Sequence, residues 1–134
     1  MARGNLICFI FYTAILIAVL HSLAITFFLY WYYWWFDIPL HFLGGFCVGL
    51  LSLWIARQNF RRDFPVSSLQ VLLVALMGAI VIGSAWELFE YIAGFTFDSM
   101  GNYKLDVIKD LTMDAFGGYI AHLFFLLKDY HQPH

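Results

Sequence analysis

At 134 residues the chain is long enough for one ordinary domain, but 63% hydrophobic and only 12% charged residues exclude a soluble one, which carries about a quarter charged residues on its surface. A formal net charge of −2 without any long basic run excludes a nucleic-acid partner. Lipid is the solvent that remains, and because backbone polar groups must be satisfied internally there, the apolar runs select helices.

From Gly4 to Phe36 there is no Asp, Glu, Lys or Arg, a run longer than the ~20 residues a helix needs to cross the bilayer. It predicts a first span at about 5–30. Arg3 with Ser22-Leu23-Ala24 also fits a signal peptide, but the apolar run continues past that point, so an uncleaved anchor is expected. YWYYWWF, 30–36, reads as an aromatic belt at the outer interface. The second span begins at Asp37, a helix cap, with Pro39 in the first turn where its missing N–H costs nothing, and runs to about 56. RQNFRRDFPVSS supplies arginines, a proline and capping serines for a polar turn before a third span at about 68–94. FTFDSMGNY is a short loop, and the last span takes in about 105–127. The expected fold is an all-α, polytopic four-helix transmembrane bundle forming one integral membrane domain over 1–134. Cys8 and Cys47 fall inside apolar runs and are expected as buried free thiols rather than a disulfide or metal knuckle.

Arg3, Arg57, Arg61, Arg62 and Lys128 fall on one side of such a bundle, and Lys104 and Lys109 on the other. Basic residues mark the cytoplasmic side, so both termini are expected there, in a bacterial cytoplasmic (inner) membrane. Single cysteines in a Cys-free background, probed on intact cells with an impermeant reagent, test this. Ser99→Cys should label and Arg61→Cys should not; the reverse pattern inverts the topology.

The membrane-depth polar residues concentrate at one end. At 1.5 Å per residue, His41, Glu87 and Asp110 lie roughly 6 to 11 Å from their helix ends and Asp114 about one turn deeper. Matching depth is not what scattered caps would give. Asp37, His41, Gly45 and Gly49 recur every four residues, as do Asp110, Asp114, Gly118 and His122, and Ala79, Gly83, Glu87 and Tyr91, with Glu90 beside them. Small residues at this spacing let helices approach closely in lipid. Carboxylates facing lipid would cost several kcal/mol each, so the stripes are expected to face one another around a hydrated pocket open to the outer side.

Simpler readings exist for single residues. Asp37 and Asp106 suit capping or dipole pairing, Lys109 can offset Glu90 or Asp106, His21 fits a satisfied interior histidine, and His122 can bond a neighbouring helix. The set His41, Glu87, Glu90, Asp110 and Asp114 is harder to explain as structure, because burying five ionisable groups for stability alone is expensive. One imidazole among carboxylates suits Mg²⁺, Mn²⁺ or Zn²⁺. Without a cation, protons must relieve the repulsion, as in a proton relay.

The blocks DIPLHFLGGF, SAWELFEY and DVIKDLTMDAFGGYIAHL resemble the VanZ-like and YjdF-like families of small bacterial membrane proteins over about 37–125. In VanZ-like proteins the second block is typically E-x-x-Q and the third ends in Asn, where this chain has Glu90 and Asp114. The basic residue usual before the third block is at best Lys104, and these departures bring the chain nearer the YjdF-like pattern. The resemblance implies the helical membrane fold and matches Asp37, His41, Glu87, Glu90, Asp110, Asp114 and Gly118 to the family motif. VanZ-like proteins are associated with resistance to lipid-anchored glycopeptide antibiotics; that mechanism is not carried over.

The functional expectation is a divalent-metal-dependent enzyme or binder acting on a lipid or lipid-linked molecule at the outer leaflet. His41, Glu87, Asp110 and Asp114 would hold the ion, Glu90 would be the general base, and Asp37, Tyr91 and Asp106 would complete the pocket. Gly45, Gly49, Gly83 and Gly118 would set the packing. Two alternatives stay open: a proton-coupled transporter or efflux component, which at this size would need a homo-oligomer to surround a path, and a structural subunit without catalysis.

Overall fold

The uncharged N-terminal run forms α1, Arg3–Thr26, which ends four residues before the expected span does. Phe28 adopts φ 57, a left-handed conformation that ends a right-handed helix. The chain then makes one short helix, α2, Leu29–Tyr32. A continuous apolar run carries no signal for that turn. The hydroxyls on α1 are satisfied within the helix, Thr13, Ser22 and Thr26 each donating to the carbonyl four residues back, as a helix in lipid requires.

The computed structural model describes residues 3–60, 67–94 and 102–130. Most of the two expected polar links, including Arg61 and Ser99, lies outside them. Helix α3, Asp37–Phe60, carries Pro39 in its first turn. Helix α4, Ser68–Ala93, starts from Ser67, whose hydroxyl accepts from the Gln70 amide, and stops at Gly94 with φ 71, the cap pair that favours Ser before a helix and Gly after it. Helix α5 is Tyr103–Tyr130, opened by Asn102, whose side chain accepts from the Lys104 amide. No strand occurs among the described residues.

Among the described residues, three helices are long and apolar enough to cross a membrane, over Leu6–Thr26, Asp37–Asn59 and Ser68–Ala93. Helix α5 has the length, at 28 residues, but its first half carries Lys104, Asp106, Lys109, Asp110 and Asp114. Helices α3, α4 and α5 pack on one another, and α1 packs on α3. Leu50, Leu53, Ala75 and Ala121 are fully buried where the helices meet.

The closest approach is between α3 and α5. A Cβ on Gly45 would collide with the Asp114 carbonyl, and one on Gly117 with the Phe42 carbonyl. One turn or more away, a Cβ on Gly49 would lie 2.9 Å from Ala121 Cβ, and one on Gly118 3.0 Å from Ala79 Cβ. Gly83 of α4 abuts the Asp114 carboxylate. Gly45, Gly49, Gly83 and Gly118 thus sit at helix contacts, and Gly117 joins them.

Some outward positions differ from expectation. Phe124, in an apolar stretch of α5, faces other rings rather than lipid alone: it stacks on Phe9 at 5.3 Å and meets Phe46 edge-on at 5.8 Å. Cys47 is buried with its thiol toward the Ile10 carbonyl, whereas Cys8 is exposed and both are free. Of the aromatic run, Trp31 to Trp35 are exposed, but Tyr30 turns inward and is only 6% exposed.

Candidate functional site

Four-residue spacing on three helices brings the polar side chains to one level. Asp37 and His41 come from the first turns of α3, Glu87 from the last turns of α4, and Asp106, Asp110 and Asp114 from α5. His41, Glu87, Asp106, Asp110 and Asp114 are all buried, Asp110 to 2% exposure.

His41 is the hub. Its Nδ1 lies 3.3 Å from Asp114 Oδ2, and its Nε2 lies 3.6 Å from Asp37 Oδ1 and 3.7 Å from Glu87 Oε1. Asp37, His41 and Asp110 each offer a donor atom within 4.8 Å of the others'. Whichever ring nitrogen carries the proton, Nδ1 faces Asp114 and Nε2 faces Asp37 and Glu87, so the imidazole stands between carboxylates of α3, α4 and α5. Among the described residues, Glu87 Oε1 and Asp110 Oδ1 are buried without a hydrogen bond. Lys109 supplies part of the compensation, its Nζ 2.6 Å from Asp106 Oδ1 and 3.3 Å from Asp110 Oδ1.

Of the four residues expected to hold an ion, His41 and Asp110 share the 4.8 Å group with Asp37, while Glu87 and Asp114 lie against the two ring nitrogens of His41. Asp37 was weighed as a cap because of its place at the helix start. Its position four residues before His41 is the signal that it shares that face. Asp106 is drawn to Lys109. Tyr91 is not brought in: it is 62% exposed and its ring lies 5.6 Å from that of Tyr103. Each four-residue step drifts about 40° around a helix of 3.6 residues per turn, and by Tyr91 the face has rotated off the bundle.

Glu90 stands apart from the His41 contacts, its Oε1 accepting from Trp86 Nε1 at 2.9 Å. It lines a cavity of about 380 Å³ between α1, α3 and α4, with Asp37, His41 and Asp114 also on its wall. The rest of the wall is mostly apolar or small, from Ala14, Ile17 and Ala18 of α1 to Ala79 and Ile82 of α4. His21 lines it too, sharing a 2.7 Å hydrogen bond with Tyr30 and an edge-on contact with Trp86. Burial, reinforced by the charges of Asp37 and Glu90, raises the Tyr30 hydroxyl above its ordinary pKa, so it remains a phenol. The satisfied histidine expected at 21 is thus also a cavity residue, and a lone polar group in an uncharged span was the signal for it. At the far end of α5, His122 Nε2 lies 3.0 Å from Ser68 Oγ, the bond to a neighbouring helix that was expected.

Residues 3–129 match a family described as "Predicted membrane protein (DUF2238)". The chain belongs to the DUF2238 family. That membership establishes a membrane protein family and leaves the VanZ-like and YjdF-like likeness of this DUF2238 chain resting on its three sequence blocks. No significant match is found among curated proteins or among solved structures.

Proposed function

We propose that this DUF2238 protein holds a divalent cation, Mg²⁺, Mn²⁺ or Zn²⁺, between Asp37, His41, Asp110 and Glu87, and uses it to bind or transform a lipid or lipid-linked molecule at the outer leaflet of a bacterial cytoplasmic membrane. The observation that carries the proposal is the convergence of three donors within 4.8 Å beside the buried Oε1 of Glu87, which accepts no hydrogen bond. Buried acids are expensive unless paired or metal-bound. Asp114 would orient His41. In a hydrolytic version the ion would acidify a bound water, and Glu90, facing the same cavity, would accept its proton.

Helix α5 would be the fourth span. Asp106, Asp110 and Asp114 support this by being buried, while Leu105, Ile108, Phe116 and Leu123 are exposed and give it an apolar outer surface despite its composition. The likeness to VanZ-like and YjdF-like proteins is consistent with the same arrangement, and the arginine asymmetry supports an outward-facing pocket.

A second reading is favoured by Lys109, which already reaches Asp106 and Asp110: the remaining charge would be balanced by protons, as in a proton-coupled transporter. Elemental analysis of detergent-purified protein separates the two. Stoichiometric metal in the native chain, lost in Asp37→Asn/Asp110→Asn, supports the cation site. Metal-free native protein, from preparations never exposed to chelator, leaves the proton reading.

A further inference from the structure

The cavity has two unlike ends. Most of its wall comes from Ile17, Val48, Ile82 and the small side chains of Ala18 and Ala79. One end carries Asp37, Glu90 and Asp114 with His41, and no Lys or Arg lines it among the described residues. Beyond that end lies the unpartnered Oε1 of Glu87, a residue 6% exposed, against His41.

The cavity is also reachable from the side. Helix α1 packs on α3 and makes no extended contact with α4 among the described residues, and Ile82 and Trp86, both on the wall, are 52% and 40% exposed. In a bilayer that opening faces acyl chains. The volume, about 380 Å³, falls in the range of small-ligand pockets.

Charge decides which head group would fit. Three carboxylates, Asp37, Glu90 and Asp114, line this end against one imidazole, His41, so among the described lining residues the acidic groups are in excess. An anionic head would add to that excess, whereas a cation would reduce it. Trp86 fixes Glu90 by a hydrogen bond, and the Trp86 and Tyr30 rings flank the same end, a setting that favours an ammonium group.

We infer that the cleft between α1 and α4 admits, sideways from the bilayer, the alkyl chain of a membrane amphiphile bearing a cationic nitrogen, with the nitrogen seated against Glu90 and Asp37. The inference rests on the membrane reading above and deepens its lipid ligand to a cationic one, and it is separable from the metal.

The test uses the full chain in phosphatidylcholine nanodiscs and radiolabelled dodecyltrimethylammonium, with labelled dodecyl sulfate as the opposite charge and empty discs subtracted. Saturable binding of the ammonium to the native chain is expected, with little saturable binding of the sulfate. Glu90→Gln should weaken it by about tenfold, the effect of ~1.4 kcal/mol. Ala18→Trp, which fills the cleft from an exposed position on α1 away from the acidic cluster, should abolish it. Melting temperature and metal content are measured on both variants to show that fold and cluster persist. Equal binding of the two amphiphiles, or ammonium binding unchanged in both folded variants, overturns the inference. Metal present without ammonium binding overturns it and leaves the cation site standing; ammonium binding without metal supports it and removes the cation site.

Discussion

Gly45→Leu is expected to lower the stability of the bundle by at least ~3 kcal/mol, the upper end of ordinary overpacking. The obstacle is backbone: a Cβ at Gly45 lands on the carbonyl of Asp114, and a helix carbonyl cannot rotate away as a side chain can. Helices α3 and α5 would have to separate, and His41 would leave Asp114. Gly117→Leu, against the Phe42 carbonyl, should behave alike from the opposite side of the contact. The control is Ile108→Leu, an exposed position on α5 where a similar volume meets no neighbour. Thermal unfolding in detergent, followed by helical circular dichroism, reads the difference. If both glycine variants melt with Ile108→Leu, the helices do not approach as described.

A chelator should lower the melting temperature of the native protein near neutral pH, and excess Mn²⁺, Mg²⁺ or Zn²⁺ should restore it. A ligand bound only by the folded state at a hundred times its Kd contributes about 2.7 kcal/mol. The direction follows from the cluster: without a cation, Asp37, Glu87 and Asp110 are left facing one another across His41, with Lys109 reaching Asp110. Asp110→Asn and Glu87→Gln keep the side-chain shapes, shed one charge each and should lose most of the chelator response while staying folded. As pH falls, protons compete for the same oxygens and imidazole, so the chelator effect should fade. A native protein indifferent to chelator and to added ions eliminates the cation site and returns the cluster to the proton-coupled or structural readings.

How much of this was legible without coordinates depends on what kind of information each feature carries. Phase and depth sufficed for His41, Glu87, Asp110 and Asp114, because burial in lipid forces charged residues on separate helices toward a common interior. The same reasoning missed Gly117 because it assigned one packed stripe to α5. That helix is packed on two sides: Gly117 meets Phe42 and Phe46 of α3, while Gly118 meets Ala75 and Ala79 of α4. The end of α1 at Thr26 was invisible in a run where every residue suits lipid, and it depends on a single backbone angle at Phe28. The cleft lay further out of reach. It exists because, among the described residues, α1 packs along α3 and makes no extended contact with α4, a choice between partners that no periodicity within one helix encodes.

Asp114 has neighbours on two other helices. Its carbonyl blocks a side chain at Gly45, its carboxylate blocks one at Gly83, and the same carboxylate holds His41. Two helices are thus fitted to the atoms of one residue, and a single added methylene, as in Asp114→Glu, would have to move one of them. The chemistry at that position cannot be retuned by small steps, since each intermediate disturbs the fold before it can offer a new property. Glu90 and Trp86 at the cavity rim are not wedged against a neighbouring helix's glycines in this way. If relatives have diverged to take different ligands, the rim is where their sequences should differ, around an interior held fixed.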